Sequence, residues 1–136
     1  MKIEITKERS KRILNKLKSK YPGKESFDID GRGKHFVCII DSAENHPEYD
    51  KAIEVIISSK PHKHKKITQY YKILSGALKL YINNKYVILQ TNDTYIIKPN
   101  IIHWATSNNE CWVEICSRPA WTKKDHILIN KSINSK

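Results

Sequence analysis

A chain of 136 residues, 39% apolar and 29% charged, fits one soluble domain with one core. No apolar run reaches the roughly 18–20 residues of a membrane span, and residues 1–12 are too charged for a secretory leader, so a cytoplasmic protein is expected. The net charge of +11 invites a polyanion partner, but residues 1–34 hold 11 basic and 5 acidic side chains and residues 122–136 hold 4 and 1, against 10 and 8 between them. The excess therefore sits in the flanks. No helix-turn-helix, zinc-finger or aromatic RNA-binding signature accompanies it, so no nucleic-acid or membrane partner is expected.

In chain order, Thr6 can cap a helix over residues 7–20, with Glu8 in its first turn and Pro22-Gly23 as its stop. Ile13, Leu14, Leu17 and Tyr21 make a narrow apolar stripe, enough to dock on a sheet but not to build a core. Gly31-Arg32-Gly33 reads as a flexible turn, where Arg32 is either solvated or a holder of an anionic substrate group. From His35 onward the strand signal dominates. HFVCIID is followed by a polar loop over 42–50 and an alternating strand over 51–59, with Ile53, Val55 and Ile57 on one face and Glu54, Ile56 and Ser58 on the other.

Further strands are expected over 69–75, 77–82, 85–90, 94–98, 101–106 and 111–117, with Asn83-Asn84 as a tight hairpin turn. Pro99-Asn100 and residues 107–110 act as turn-rich separators. Seven to nine short strands without a helical crossover indicate an all-β antiparallel barrel or jelly roll behind an N-terminal α-helix. The chain divides into a basic helix and linker over 1–34, a barrel over 35–121 and a tail over 122–136. In that tail Ile127, Leu128 and Ile129 can add a strand, while 131–136 look frayed. Cys38, Cys111 and Cys116 are odd in number, and the last two fall on opposite faces of one strand, which reads as reduced thiols.

The most informative stretch is PHKHKKITQYYKILSG, residues 61–76. On an extended chain His62 and His64 share a face. Gln69 and a third imidazole, His103 in IIKPNIIHWATSN, can join them around one metal ion. The spacing H-x-H-x4-Q-x6-G resembles the first motif of the cupin family, G-x5-H-x-H-x3-4-E-x6-G. NDTYIIKPNIIH, residues 92–103, resembles its second, G-x5-P-x-G-x2-H. Gln69 stands where the family has Glu. Asn92 and Asn100 stand where it has Gly, and Asn shares the tolerance of Gly for left-handed backbone.

The resemblance implies a cupin double-stranded β-helix or jelly-roll barrel, a ligand set of His62, His64, Gln69 and His103, and a homodimer formed through sheet edges. Three imidazoles and one carbonyl oxygen suit a divalent Mn, Fe, Co, Ni or Zn ion. Parity nominates Tyr71, Ile73, Ile101, Ala105, Tyr95 and Ile97 as pocket wall. Tyr71 is a proton relay or a core tyrosine; Glu54 or Glu114 is a general base if it faces inward. Tyr95, Arg32 and His46, on a loop near the mouth, are candidate substrate contacts. Trp104, Trp112 and Trp121 read as packing rather than a sugar platform.

The expected activity is Lewis-acid chemistry of the isomerase, ring-opening or lyase type on a sugar, sugar acid or similar small oxygenated substrate. Cupins that open unsaturated uronates look similar in carrying a Gln among three His. An iron-dependent dioxygenase and a non-catalytic sugar- or metal-binding module are the alternatives.

Overall fold

The computed structural model of the protein describes residues 2–44 and 46–129, without the side chains of residues 2–5; the tail at 131–136 lies outside the described residues. One helix, α1 (Lys2–Lys20), precedes ten strands: β1 (Ser26–Asp28), β2 (His35–Asp41), β3 (Asp50–Ser58), β4 (His62–Lys63), β5 (Thr68–Ser75), β6 (Leu78–Ile82), β7 (Lys85–Leu89), β8 (Thr94–Ile97), β9 (His103–Arg118) and β10 (Ile127–Leu128). No described helix is long and apolar enough to cross a membrane.

The sheet runs β1-β2-β3-β9, and β9 joins its two halves. The C-terminal part of β9 pairs with β3 on one side and β5 on the other, and β8 adds to β5. Its N-terminal part pairs with β6 and β4, which are flanked by β7 and β10. The sheet thus curls over into a barrel-like jelly roll, the all-β architecture expected from the strand count.

Residues 107–110 do not break β9, contrary to the expected turn. β9 absorbs them as a bulge instead, because a step of two residues on β3, from Ile56 to Ser58, is matched by five on β9, from Cys111 to Thr106. The helix also starts earlier than expected. Thr6 lies inside it, and a Cβ on Gly33 would come within 2.5 Å of the Thr6 methyl, so the Gly31–Gly33 turn is a docking point rather than a loose loop.

Two apolar clusters use opposite faces of the same strands. Inside the barrel Ile56, Tyr71, Ile73, Leu78, Leu80 and Val113 pack together with their neighbours. Outside, the α1 stripe of Ile13 and Leu17 covers Phe36, Cys38, Ile53, Val55 and Trp112. Burying those two helix residues contributes about 1.5–3 kcal/mol each. The three cysteines are free thiols.

Three asparagines adopt positive φ: Asn83 (53°) in the β6–β7 turn, and Asn92 (76°) and Asn100 (69°) where the resemblance aligns glycines. Gly76 has φ +91°, and a Cβ there would meet the Glu110 carbonyl oxygen at 2.9 Å, so both backbone shape and space require glycine.

Candidate metal centre

His62 lies on β4, directly across from His103 at the start of β9, and His64 follows two residues later. Ring centroids stand 4.2 Å apart for His62–His103, 5.1 Å for His62–His64 and 5.7 Å for His64–His103. One ligand atom from each lies within 4.8 Å of the others. Two metal–nitrogen bonds of roughly 2 Å each span a similar distance.

Each Nδ1 is held by a backbone carbonyl: His62 by Lys60 at 2.8 Å, His64 by Asp125 at 2.9 Å and His103 by Ile101 at 2.9 Å. A carbonyl only accepts, so each Nδ1 carries the proton and each Nε2 presents a lone pair. All three rings are buried, as is Gln69. Burial is the main cause that lowers their pKa values: His62 well below the ordinary range, His103 to about 4, and His64 in the same direction.

Among the described residues, Nε2 of His64, Nε2 of His103 and Oε1 of Gln69 are buried without a hydrogen-bond partner. Such orphaned acceptors are rare in folded proteins. Neutral imidazoles and an amide oxygen facing one another fit a borderline divalent cation.

Of the remaining candidates, Glu54 faces the interior, where its Oε1 stands 2.5 Å from His35 Nε2. Its negative charge adds to the burial that raises the Tyr71 pKa and opposes the burial that lowers those of His64 and His103. Tyr71 is a core residue; burial, then the Glu54 charge, raises its phenol pKa. Tyr95 pairs across from it and packs against the same cluster.

Glu114 corrects the expectation. It lies on the outer face of β9, with Lys51 Nζ at 3.9 Å, because parity on β9 sends Val113 and Ile115 inward. Arg32 is taken up by Asp30 at 2.8 Å and the Ser58 carbonyl at 2.9 Å, and so is not a free anion holder. His46 pins its own loop: Nδ1 donates to the Tyr49 carbonyl at 2.7 Å, Nε2 meets Asp41 at 2.7 Å, and Asp41 is the main reason its pKa rises.

Four site residues escaped the sequence reading. His35 has no metal-like spacing, yet parity with Val37 and Ile39 could have placed it. Ser117 sits across from Gln69 and accepts from its Nε2 at 3.2 Å. Asp125 and His126 come from the tail. The Asp125 carbonyl orients His64 while its carboxylate accepts from the Lys65 and Lys66 amides. His126 stacks on His62 at 4.5 Å and accepts from Trp121 Nε1 at 3.3 Å. The apolar run over 127–129 signals a strand in this tail, and β10 forms there, but nothing local names its partner.

Two adjoining cavities share Phe27, Ile29 and Trp121. The inner one, about 170 Å³, reaches Glu54, Gln69 and Ser117, with Val37, Ile39 and Ile115 as apolar wall. The outer one, about 340 Å³, reaches His62, His126 and His35, with Lys60 and Lys123 at its rim.

Residues 54–112 match the family described as Cupin domain. That match spans all three histidines, and the chain has the cupin fold. No curated protein matches the sequence. Among solved structures it is similar to Pac13 from Streptomyces, a nucleoside dehydratase, at 19% identity over 82% of this chain and 92% of that one, with a TM-score of 0.66. KdgF from Halomonas sp. shares 14% identity over 69% of this chain and 87% of its own, with a TM-score of 0.58. The Fe(II) form of HppE shares 9% over 70% and 56%, with a TM-score of 0.62. At these identities the likeness shows the cupin fold.

Proposed function

We propose that this cupin is a metal-dependent enzyme of the lyase or isomerase type acting on a small oxygenated substrate. The observation that carries the reading is the set of buried, unpartnered acceptors from His64, His103 and Gln69 beside His62, with a carboxylate, Glu54, in the same interior. A divalent ion held by His62, His64, Gln69 and His103 supplies Lewis acidity toward a substrate oxygen.

Glu54 then serves as the general base, taking a proton from the carbon beside a carbonyl group. The released electron pair forms a carbon–carbon double bond as a β-substituent leaves, or returns to a different position after reprotonation. His35 is a positioning residue that fixes one Glu54 oxygen and leaves the other for the substrate. Tyr71 and Tyr95 line neither cavity and serve as core packing.

The inner cavity bears on the substrate. Its apolar wall and the acidic Glu54 and Asp50 suit a neutral molecule with a flat ring better than a uronate carboxylate. That favours, as a second reading, the nucleoside class on which the similar dehydratase acts. A homodimer belongs to the proposal too, since exposed Tyr86, Ile88 and Ile96 lie on β7 and β8, each of which pairs on one side only among the described residues; sedimentation tests it.

Protein loaded separately with Mn, Fe, Co, Ni or Zn and assayed with and without oxygen on sugars, uronates and nucleosides tests the activity. Metal-dependent turnover on one class supports it. Turnover that appears only with iron and oxygen would transfer the assignment to a dioxygenase. Binding without turnover would leave a binding module.

A further inference from the structure

We propose that Asp50 and Ser117 fix which end of the Gln69 amide faces the histidines. The inference rests on the metal-centre reading above and concerns what makes that centre competent. The three residues form a row across adjacent strands, Asp50↔Ser117 between β3 and β9 and Ser117↔Gln69 between β9 and β5. All three point into the inner cavity.

The two ends of an amide are nearly equal in shape and opposite in chemistry. Gln69 Nε2 donates to Ser117 Oγ at 3.2 Å, which leaves Oε1 on the side of the imidazoles. In the flipped orientation the NH2 group would face His64, whose Nε2 is an acceptor because its Nδ1 proton goes to the Asp125 carbonyl. That hydrogen bond would satisfy His64 and remove two ligands from the centre at once. The flipped amide is therefore a direct competitor of the metal.

Ser117 decides between the two. Its hydroxyl has a single proton, and the acceptor assigned to it is the Asp50 carboxylate, directly across on β3 and lining the same cavity. Asp50 is itself anchored by the Trp121 backbone N–H at 2.6 Å. Burial raises the Asp50 pKa, and the Trp121 and Ser117 donors pull it back down. With its proton committed, Ser117 can only accept from Gln69, so the NH2 end turns toward it. Ser117 is 2% exposed and Gln69 4%, so water does not substitute for either partner.

Cobalt affinity and the Co(II) absorption spectrum of the full-length protein test this, together with NMR of the Gln69 side-chain amide in metal-free protein. Ser117→Ala should weaken cobalt binding about 10–100-fold, as loss of an outer partner of a ligand typically does. Ser117→Thr, which keeps the hydroxyl, should bind like the wild type. Asp50→Asn should weaken binding too, because its NH2 can donate to Ser117 and turn the hydroxyl proton toward Gln69. On a Gln69→Glu background, with two equivalent oxygens, Ser117→Ala should change nothing. In the metal-free protein the hydrogen-bonded amide proton should be protected from exchange in the wild type and in Ser117→Thr, and lose protection in Ser117→Ala. Equal affinity in wild type and Ser117→Ala, an equal loss in Ser117→Thr, or an amide signal indifferent to Ser117 overturns the proposal. A protected amide in a protein that binds no cobalt would sink the metal centre while leaving the orientation intact.

Discussion

On β5, Gln69 and Ile73 face the same barrel interior four residues apart, but they serve opposite ends of it. Around Ile73 the neighbours are Leu78, Leu80, Val113 and Cys111, a packed apolar plug. Around Gln69 they are Ser117, Glu54 and the three histidines, and buried acceptors go unpartnered. The same strands supply both ends, so the plug can hold the polar end in place: β9 carries Val113 and Ile115 into one and Ser117 into the other. A polar cluster with orphaned atoms is destabilising by itself, and the apolar end offsets that cost. Stability and chemistry are thereby separated along each strand, and substitutions at the two ends should fail in different ways.

The largest effect is expected at the polar end. Glu54→Gln keeps size and hydrogen bonding but cannot accept a proton, so turnover on whichever substrate is found should fall about 10²–10⁴-fold. Thermal stability and metal content should stay near wild type. Retained turnover would remove Glu54 from the chemistry. At the apolar end Ile73→Ala leaves a cavity and should cost about 2–5 kcal/mol in urea melts, while the fraction that remains folded binds metal with unchanged affinity. A comparable affinity loss there would mean that the two ends are not separable.

Those two substitutions also mark where the sequence was legible. The gathering of His62, His64 and His103 followed from spacing, and the interior parity of Tyr71, Ile73 and Ala105 followed from strand alternation. Parity on β3 was equally clear, with Ile53 and Val55 opposite Glu54 and Ile56. Yet both faces of β3 are apolar because α1 buries the outer one, so alternation alone could not say which face Glu54 joined. In the tail the strand itself was legible in residues 127–129, and β10 forms there, but its partner was not. Asp125 meets His64 across 61 positions, and β10 pairs with β4 through two residues only. A contact that brief and distant leaves no periodic trace. β9 misled because the polar residues 107–110 look like a turn, whereas a shift in strand pairing keeps them extended.

Acidification should separate the two ends without any substitution. His103 titrates at about 4 in the folded protein against an ordinary value near 6.5, because burial disfavours its charged form. Between those values the unfolded chain takes up a proton that the folded one refuses, so folding stability falls as pH drops from about 6.5 to 4. For His103 alone the loss approaches about 3 kcal/mol, and His62 and His64 act in the same direction. Urea melts of chelator-treated protein at pH 7, 5.5 and 4.5 should show it. The Ile73→Ala penalty should be the same at each pH, since no titrating group is removed there. A pH-independent midpoint would show that the rings are solvated rather than buried.

The smallest effect is expected where one residue type appears on both faces. Glu54 and Glu114 are both carboxylates within apolar stretches, and β3 pairs Ile53 with Glu114 and Glu54 with Val113. That register points the two side chains to opposite sides of the sheet. Glu114 meets water and Lys51 at 3.9 Å, and its side chain is 36% exposed. A surface pair of that length contributes little, so Glu114→Gln should move stability by no more than about 0.5 kcal/mol and leave both turnover and metal binding unchanged. Paired with Glu54→Gln, it holds the chemical change constant and varies only the face. If both variants lost turnover alike, general loss of negative charge would explain the result better than an interior base. If only Glu54→Gln does, the direction of one side chain in the sheet accounts for the difference.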